Sequence, residues 1–225
     1  MAGRFITFEG GEGGGKSTHA RLLAEKLENA GIEVVLTREP GGSPGAEIIR
    51  HVLLSGAAKP LGAETEAILF AAARDDHVRA TIEPALEAGK WVISDRFLDS
   101  TRVYQGILGH VDARLIRGLE RVTVGETMPD LTLILDVPVE IGLERASVRR
   151  GVGAVDRFEA ENIEFHEKLR GSYAALANLE PERCVLIDAT QSKETVQDQI
   201  WKAVSDRLMR RRSDRAVAAV PSGTP

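Results

Sequence analysis

The chain has 225 residues, with 29 Lys and Arg against 34 Asp and Glu, for a formal net charge of −5. That acidic balance argues against a general nucleic-acid binder. The single cysteine, Cys184, excludes disulfide stapling within the chain and a thiol-based zinc cluster. No apolar run reaches the roughly 18 residues of a membrane span. The first apolar strand begins within a few residues of Met1, so no leader is expected and a cytoplasmic location is.

Phe5-Ile6-Thr7-Phe8 is a short apolar, β-branched run that reads as a buried strand. Gly10 to Ser17 then fits G-x-x-x-x-G-K-[ST], the P-loop pattern. After it, Leu22, Leu23 and Leu27, with Ala20, Ala24 and Ala30, recur at helical spacing up to the helix stop Gly31. The motif therefore lies between a strand and a helix N-terminus, where its chemistry requires it. Gly10, Gly11, Gly13, Gly14 and Gly15 let the backbone curl with its N–H groups inward. The helix start adds partial positive charge. Lys16 can reach the β- and γ-phosphates of a nucleotide, and the Ser17 hydroxyl can bind Mg²⁺.

Further along, Glu33–Thr37 reads as a second strand running into the Pro- and Gly-rich loop Arg38–Gly42. Helical patterns follow at Ala46–Leu54, Glu64–Ala80 and Ile82–Ala88, then a third strand at Trp91–Ser94 ending in Asp95-Arg96. Ser100–Leu108 and Arg114–Val124 are expected to be helical, Leu131–Leu135 to be a fourth strand ending at Asp136, and Glu140–Arg150 a helix. A long helix over Glu159–Leu179, a fifth strand at Val185–Ile187 and a last helix through Val196, Ile200, Val204 and Leu208 complete the pattern. This alternation implies a three-layer α/β fold, a five-stranded parallel sheet with helices on both faces. Ligands of such sheets bind at the carboxyl ends of the strands, so the loops at 10–17, 38–42 and 95–96 should converge on one cleft. From about residue 209 the Arg-rich, then Ala-, Ser-, Gly- and Pro-containing sequence reads as a disordered tail. Cys184 reads as a small buried hydrophobe. The five histidines share no metal-like spacing, and His77 is expected in surface or core use.

Several motifs together resemble one family. The loop Glu9–Thr18 is joined by Thr37-Arg38-Glu39-Pro40-Gly41-Gly42, Asp95-Arg96-Phe97, Ser100-Thr101, Tyr104-Gln105-Gly106 and Pro129–Leu133, in order and spacing like those of thymidylate kinases. The similarity spans about residues 4–208. It implies a single P-loop nucleoside monophosphate kinase domain over 1–208, a lid at about 145–157, a homodimer, and transfer of the ATP γ-phosphate to dTMP with Mg²⁺. Neither nucleic acid nor membrane is implied as a partner. The alternatives are another deoxynucleotide or nucleoside kinase, or a P-loop ATPase switch without a small-molecule acceptor.

The chemistry of the residues agrees, because joining two anionic nucleotides requires positioning and positive charge. Lys16, Arg38, Arg96 and the Arg145, Arg149, Arg150 and Arg157 set supply it. Arg38 and Arg96 each follow a strand end and can hold a phosphate bidentately; otherwise each is a surface ion pair with an acid such as Glu39 or Asp95. By resemblance, the ATP loop comprises Gly10, Gly11, Glu12, Gly13, Gly14, Gly15, Lys16, Ser17 and Thr18. Arg38 and Arg96 hold the dTMP phosphate, Phe70 stacks on thymine, and Arg74 donates to a thymine oxygen. Ser100, Tyr104 and Gln105 line the thymine and deoxyribose side, with Tyr104 crowding a 2′-hydroxyl, and Glu12 accepts from the 3′-hydroxyl. Members of the family carry the catalytic arginine either in the loop or in the lid; this loop has none, so the resemblance implies the lid, at Arg149 with Arg150 next. Asp95, ending an apolar strand, is preferred to Asp136 as the acid beside Mg²⁺.

Overall fold

The computed structural model describes residues 3–150, 158 and 160–209. The expected tail from 210 onward and most of the expected lid lie outside the described residues. Five strands form one parallel sheet in the order β2-β3-β1-β4-β5: β1 Arg4–Glu9, β2 Val34–Arg38, β3 Trp91–Asp95, β4 Leu131–Asp136 and β5 Cys184–Asp188. β1 is central and the chain leaves it for both sides of the sheet in turn, so the strand order reverses where β1 ends. That switch point is where a crevice opens in sheets of this kind.

Strand alternation sorts the core into two faces. Ile6 and Phe8 of β1, Ile93 of β3 and Leu131, Leu133 and Leu135 of β4 pack on α1 (Lys16–Asn29) and α9 (Lys193–Val204), through Leu23, Leu27, Val196 and Ile200. Phe5 and Val92 face the other way, against Val78, Ile82, Phe97 and Leu98. On that side Ile134 and Cys184 meet Leu169, Tyr173 and Leu176 of α8 (Ile163–Leu179). Thr7 shares the second face, its hydroxyl bonding Thr132 at 2.7 Å. Glu9, two residues on, points the same way.

Several boundaries differ from the sequence expectation. β2 begins and ends one residue later, so Arg38 is its last residue, and β4 and β5 extend to Asp136 and Asp188. The two helices expected across 64–88 are one continuous helical path: α3 (Gly62–His77), a π-helical segment (Val78–Ile82) and α4 (Glu83–Glu87). Pro84 has no N–H for the carbonyl four residues back and its ring crowds that carbonyl, so the helix widens before it instead of stopping. The segment expected as one helix from Ser100 starts earlier, as α5 (Leu98–Thr101), and widens into a π-helical stretch over Arg102–Leu108. α2 (Pro44–Leu54) starts two residues early because Pro44 is preset for a first helical turn. α6 (Ala113–Thr123) and α7 (Val139–Arg150) agree within a residue, whereas α8 begins at Ile163, where the Asn162 side chain caps the Phe165 amide at 2.8 Å. A π-helical turn, Ser205–Met209, follows α9.

Leu133 lies in an interior strand with its side chain fully buried. Leu133→Ala should lower the unfolding free energy by about 2–5 kcal/mol, read by urea denaturation; a loss well under about 1 kcal/mol would contradict a packed sheet core there.

Candidate active site

A cavity of about 450 Å³ opens over the carboxyl ends of β1, β2 and β3. Lys16 and Ser17 from the start of α1, Arg38 from β2, Asp95 and Arg96 from the end of β3, and Arg149 from α7 all line it. Glu12, Phe70, Arg74, Ser100, Tyr104 and Gln105 line the remainder, together with Gly13, Gly15 and Thr18. Arg145 is turned elsewhere, donating to the Ala189 carbonyl at 2.7 Å. The Arg150 side chain and Arg157 lie outside the described residues.

The loop before α1 needs glycine at two points of close approach. Gly10 has φ +123°, and a Cβ there would sit 2.4 Å from the Leu135 carbonyl oxygen. Gly13 has φ +68°, and its Cβ would sit 1.9 Å from the Gly142 carbonyl oxygen of α7. Lys16 Nζ donates to the loop carbonyls of Gly11 (2.7 Å) and Gly10 (3.2 Å). Burial, then the neighbouring Arg96, pushes the Lys16 pKa down against the pull of Glu12, Asp95 and Glu9. Ser17 Oγ donates to Asp95 Oδ2. Two oxygen donors thus stand side by side at the helix start. That suits Mg²⁺, which takes one or two protein oxygens and completes its shell with phosphate and water. Among the described residues no group of three or more His, Cys, Asp or Glu is placed to hold a metal by itself. The rival acid, Asp136, is occupied: Arg170 grips both of its oxygens at 2.7 and 2.9 Å.

Arg38 and Arg96 each have an acidic partner, but neither is the sequence neighbour, Glu39 or Asp95, that the ion-pair alternative named. Arg38 pairs with Glu47 at 2.9 Å, both side chains about half exposed. Arg96, a non-glycine residue at φ +71°, pairs with Glu12 at 2.7 Å and lies over the Tyr104 ring at 5.4 Å. Burial alone would raise the Glu12 carboxyl, but Arg96, then Lys16 and Arg149, outweigh it and bring its pKa to about 2. Arg74 is deeply buried, donating to Glu39 at 2.9 Å, to the Phe97 carbonyl at 3.2 Å and to Thr101 at 3.0 Å. His77, fully buried, holds the other Glu39 oxygen at 3.0 Å through Nδ1 and Thr37 at 2.7 Å through Nε2. Those contacts anchor the loop after Arg38, in which the Glu39–Pro40 peptide is cis.

Phe70 is partly buried rather than sunk in the core, and borders the cavity. Tyr104 and Gln105 are buried in the π-helical stretch. The Tyr104 hydroxyl has no hydrogen-bond partner among the described residues, and burial pushes its pKa up.

Sequence reasoning missed Glu9, Arg50, Thr101 and Tyr173. Arg50 lines the cavity from α2 and donates to the Pro40 carbonyl. Glu9 is fully buried at the end of β1, and burial, then Asp99, raises its carboxyl to about 7 against the pull of Arg96. Strand alternation was the available signal, since Phe5, Thr7 and Glu9 share a face and an acid ending that run has to be satisfied from the helices on it.

The depressed Glu12 pKa carries a sign. Its contribution to stability is present above the ordinary value of 4.5 and is lost as pH falls from there toward about 2. Melting temperatures between pH 5 and pH 3 should therefore fall less steeply for Glu12→Gln than for the parent chain; parallel slopes would contradict the Arg96 pairing.

A family model for thymidylate kinase matches residues 8–200. A thymidylate kinase of Bradyrhizobium sp. (strain ORS 278) is 63% identical over 206 residues, covering 92% of this chain and 91% of the relative. One of Nitrobacter winogradskyi is 62% identical over 207 residues, covering 92% and 90%. Among solved structures, the crystal structure of thymidylate kinase from Ehrlichia chaffeensis aligns with a TM-score of 0.72 at 35% identity, covering 91% of this chain and 99% of that one. With a family model spanning most of the sheet and relatives this similar over nearly their whole length, the chain belongs to the thymidylate kinase family.

Proposed function

We propose that this chain transfers the γ-phosphate of ATP to dTMP, giving dTDP for dTTP synthesis, as a Mg²⁺-dependent homodimeric cytoplasmic enzyme built from one domain over 1–208. The observation that carries the reading is that Lys16, Arg38, Arg96 and Arg149 line one cavity together with the rings of Phe70 and Tyr104. Cations and rings lining one cleft match a nucleotide, with its phosphate held by the cations and its base by a ring. The acceptor oxygen belongs to a phosphate that is already largely anionic near neutral pH, so the reaction needs no strong base. It needs two like-charged groups held in line.

In that arrangement the loop amides and Lys16 hold the donor phosphates. Arg38 and Arg96 hold the acceptor phosphate, whose oxygen bonds to the γ-phosphorus as the bond to the β-phosphate oxygen breaks. Ser17 and Asp95 are the residues for Mg²⁺, whose charge, when bound, offsets that of the donor phosphates. Arg149, or Arg150 beside it, covers the transferred group from the lid; an arginine so placed contributes roughly 10³–10⁵ in rate. Phe70 offers a face to thymine, Arg74 and Gln105 offer donors to its edge, and Tyr104 closes the space a 2′-hydroxyl would take. Glu12, ionised, accepts from the 3′-hydroxyl.

Exposed apolar side chains support the homodimer. Ile48 and Val52 are four apart on α2, and Ile68 is exposed on α3, which packs along α2. Among the described residues no helix is long and apolar enough to cross a membrane.

Purified protein given ATP and each nucleoside monophosphate or nucleoside should phosphorylate dTMP best. A stronger preference for another acceptor would favour a different deoxynucleotide or nucleoside kinase, and turnover independent of any acceptor would favour an ATPase switch. Arg38→Ala should cut turnover by about 10²-fold or more, yet shift stability by under about 1 kcal/mol because its ion pair is exposed; matched losses of melting temperature and activity would oppose the role. Ile48→Asp should turn the dimer into a monomer in sedimentation velocity, and an unchanged dimer would place the interface elsewhere.

A further inference from the structure

Glu9 makes four hydrogen bonds and none of the roles above uses it. Its Oε1 accepts from the backbone amides of Phe97 (2.8 Å) and Ser100 (3.1 Å). Its Oε2 accepts from the hydroxyls of Ser100 (2.7 Å) and Tyr173 (2.9 Å). The two amides open α5, immediately after the left-handed turn at Arg96, and the two hydroxyls reach in from α5 and α8. One buried carboxylate thus ties the end of β1 to both elements that flank Arg96.

The same two hydroxyls also contact Arg96. Its NH1 group donates to Ser100 Oγ at 3.2 Å and reaches Tyr173 Oη at 3.5 Å and the Gly10 carbonyl at 3.4 Å. A hydroxyl has one proton and two lone pairs. While both protons point at the Glu9 carboxylate, both oxygens present lone pairs to the guanidinium. A neutral amide at this position would reverse the arrangement. Gln could still accept from the two immovable backbone amides through its oxygen, but its NH₂ would then donate to the hydroxyls. Their protons would turn toward Arg96, and an acceptor would become a repulsive neighbour.

We propose that Glu9 is a positioning residue for Arg96, acting through the Ser100 and Tyr173 hydroxyls to set the guanidinium in place for the acceptor phosphate. The proposal rests on the reading of Arg96 as a ligand of that phosphate. It differs from a purely structural role for Glu9 in what it does to the two substrates. Loosening of the fold would disturb both nucleotides together, whereas a displaced Arg96 disturbs the acceptor alone, since Lys16 and the loop amides are left in place.

The test is steady-state kinetics on the full chain at about pH 8.5, above the Glu9 carboxyl's value of about 7 so that the carboxylate form is compared with the amide, with KM for dTMP and for ATP measured separately. Glu9→Gln should raise KM for dTMP by about tenfold, the loss of roughly one charge-assisted contact, and leave KM for ATP within about twofold. In an Arg96→Ala background, which by itself raises KM for dTMP, adding Glu9→Gln should have less than about a twofold further effect because the two act as one unit. Should Glu9→Gln fail to fold, Tyr173→Phe removes one of the relaying hydroxyls alone and should raise KM for dTMP a few-fold with the same coupling to Arg96→Ala. Equal changes in both KM values, no change in either, or effects that multiply fully across the pair would overturn the proposal. An Arg96→Ala variant with unchanged KM for dTMP would overturn the phosphate role of Arg96 first and this inference with it, so the two failures are told apart.

Discussion

A site built for anions has to keep its own cations solvated or paired when no anion is present, and that constraint organises this cleft. Lys16 rests on the loop carbonyls of Gly10 and Gly11, Arg38 on Glu47, Arg96 on Glu12 and Arg74 on Glu39. Binding of a phosphate is then an exchange of partners rather than a filling of empty charge. The ease of each exchange depends on burial. The Arg38–Glu47 pair is half exposed, and such pairs are worth about 0–1 kcal/mol, so Arg38 can leave Glu47 at little cost. The Arg74–Glu39 pair is almost wholly buried, and separating such a pair costs about 3–5 kcal/mol. Arg74 therefore stays where it is and acts as part of the wall.

Glu12 and Glu9 show the same constraint from the acidic side. They are three residues apart and both near Arg96, yet burial dominates for Glu9 and the cations dominate for Glu12, so their carboxyl pKa values move apart, to about 7 and about 2. The difference follows from what each oxygen meets. Glu12 contacts the guanidinium directly, whereas Glu9 is satisfied by two amides and two hydroxyls, with Asp99 nearby as a like charge. A charged group beside a cation and a charged group beside dipoles are not equivalent, even within one loop.

How much of this was legible beforehand follows from the range of each signal. The order of strands and helices, and the convergence of residues 16, 38 and 96, rest on local periodicity and on the rule that parallel strands end on one side, so they read directly from the chain. The π-helical segments over Val78–Ile82 and Arg102–Leu108 did not, because their apolar spacing still resembles an α-helix and only the strain at Pro84 hints at the first. Partner choice was also hidden. The ion-pair alternative for Arg38 and Arg96 named Glu39 or Asp95, their sequence neighbours. Arg38 is the last residue of β2 and Arg96 sits in the left-handed turn after β3, and each meets an acid brought by another element, Glu47 from α2 or Glu12 from the loop. Glu9 and Tyr173, 164 residues apart in sequence, meet only because α8 crosses the face that Phe5, Thr7 and Glu9 share.

The choice between Arg149 and Arg150, which sequence spacing left open, is narrowed by a glycine on the same helix. Gly142 of α7 packs so closely on the loop that a Cβ there would sit 2.5 Å from the Glu12 carbonyl oxygen, and Gly13 meets Gly142 in return. That contact fixes which face of α7 looks at the loop. Seven residues is close to two turns, so position 149 lies on nearly the same face, about 10 Å further along the axis. The next position is rotated by about 100°. The electrostatics agree, since Arg149 is one of the charges that hold the Glu12 carboxyl down. Arg145, three residues from Gly142, is held by the Ala189 carbonyl and steadies the base of the same helix. Under the proposed reading, the arginine better placed to reach the cleft is thus Arg149, which lines the cavity from a helix packed on the Gly10–Ser17 loop.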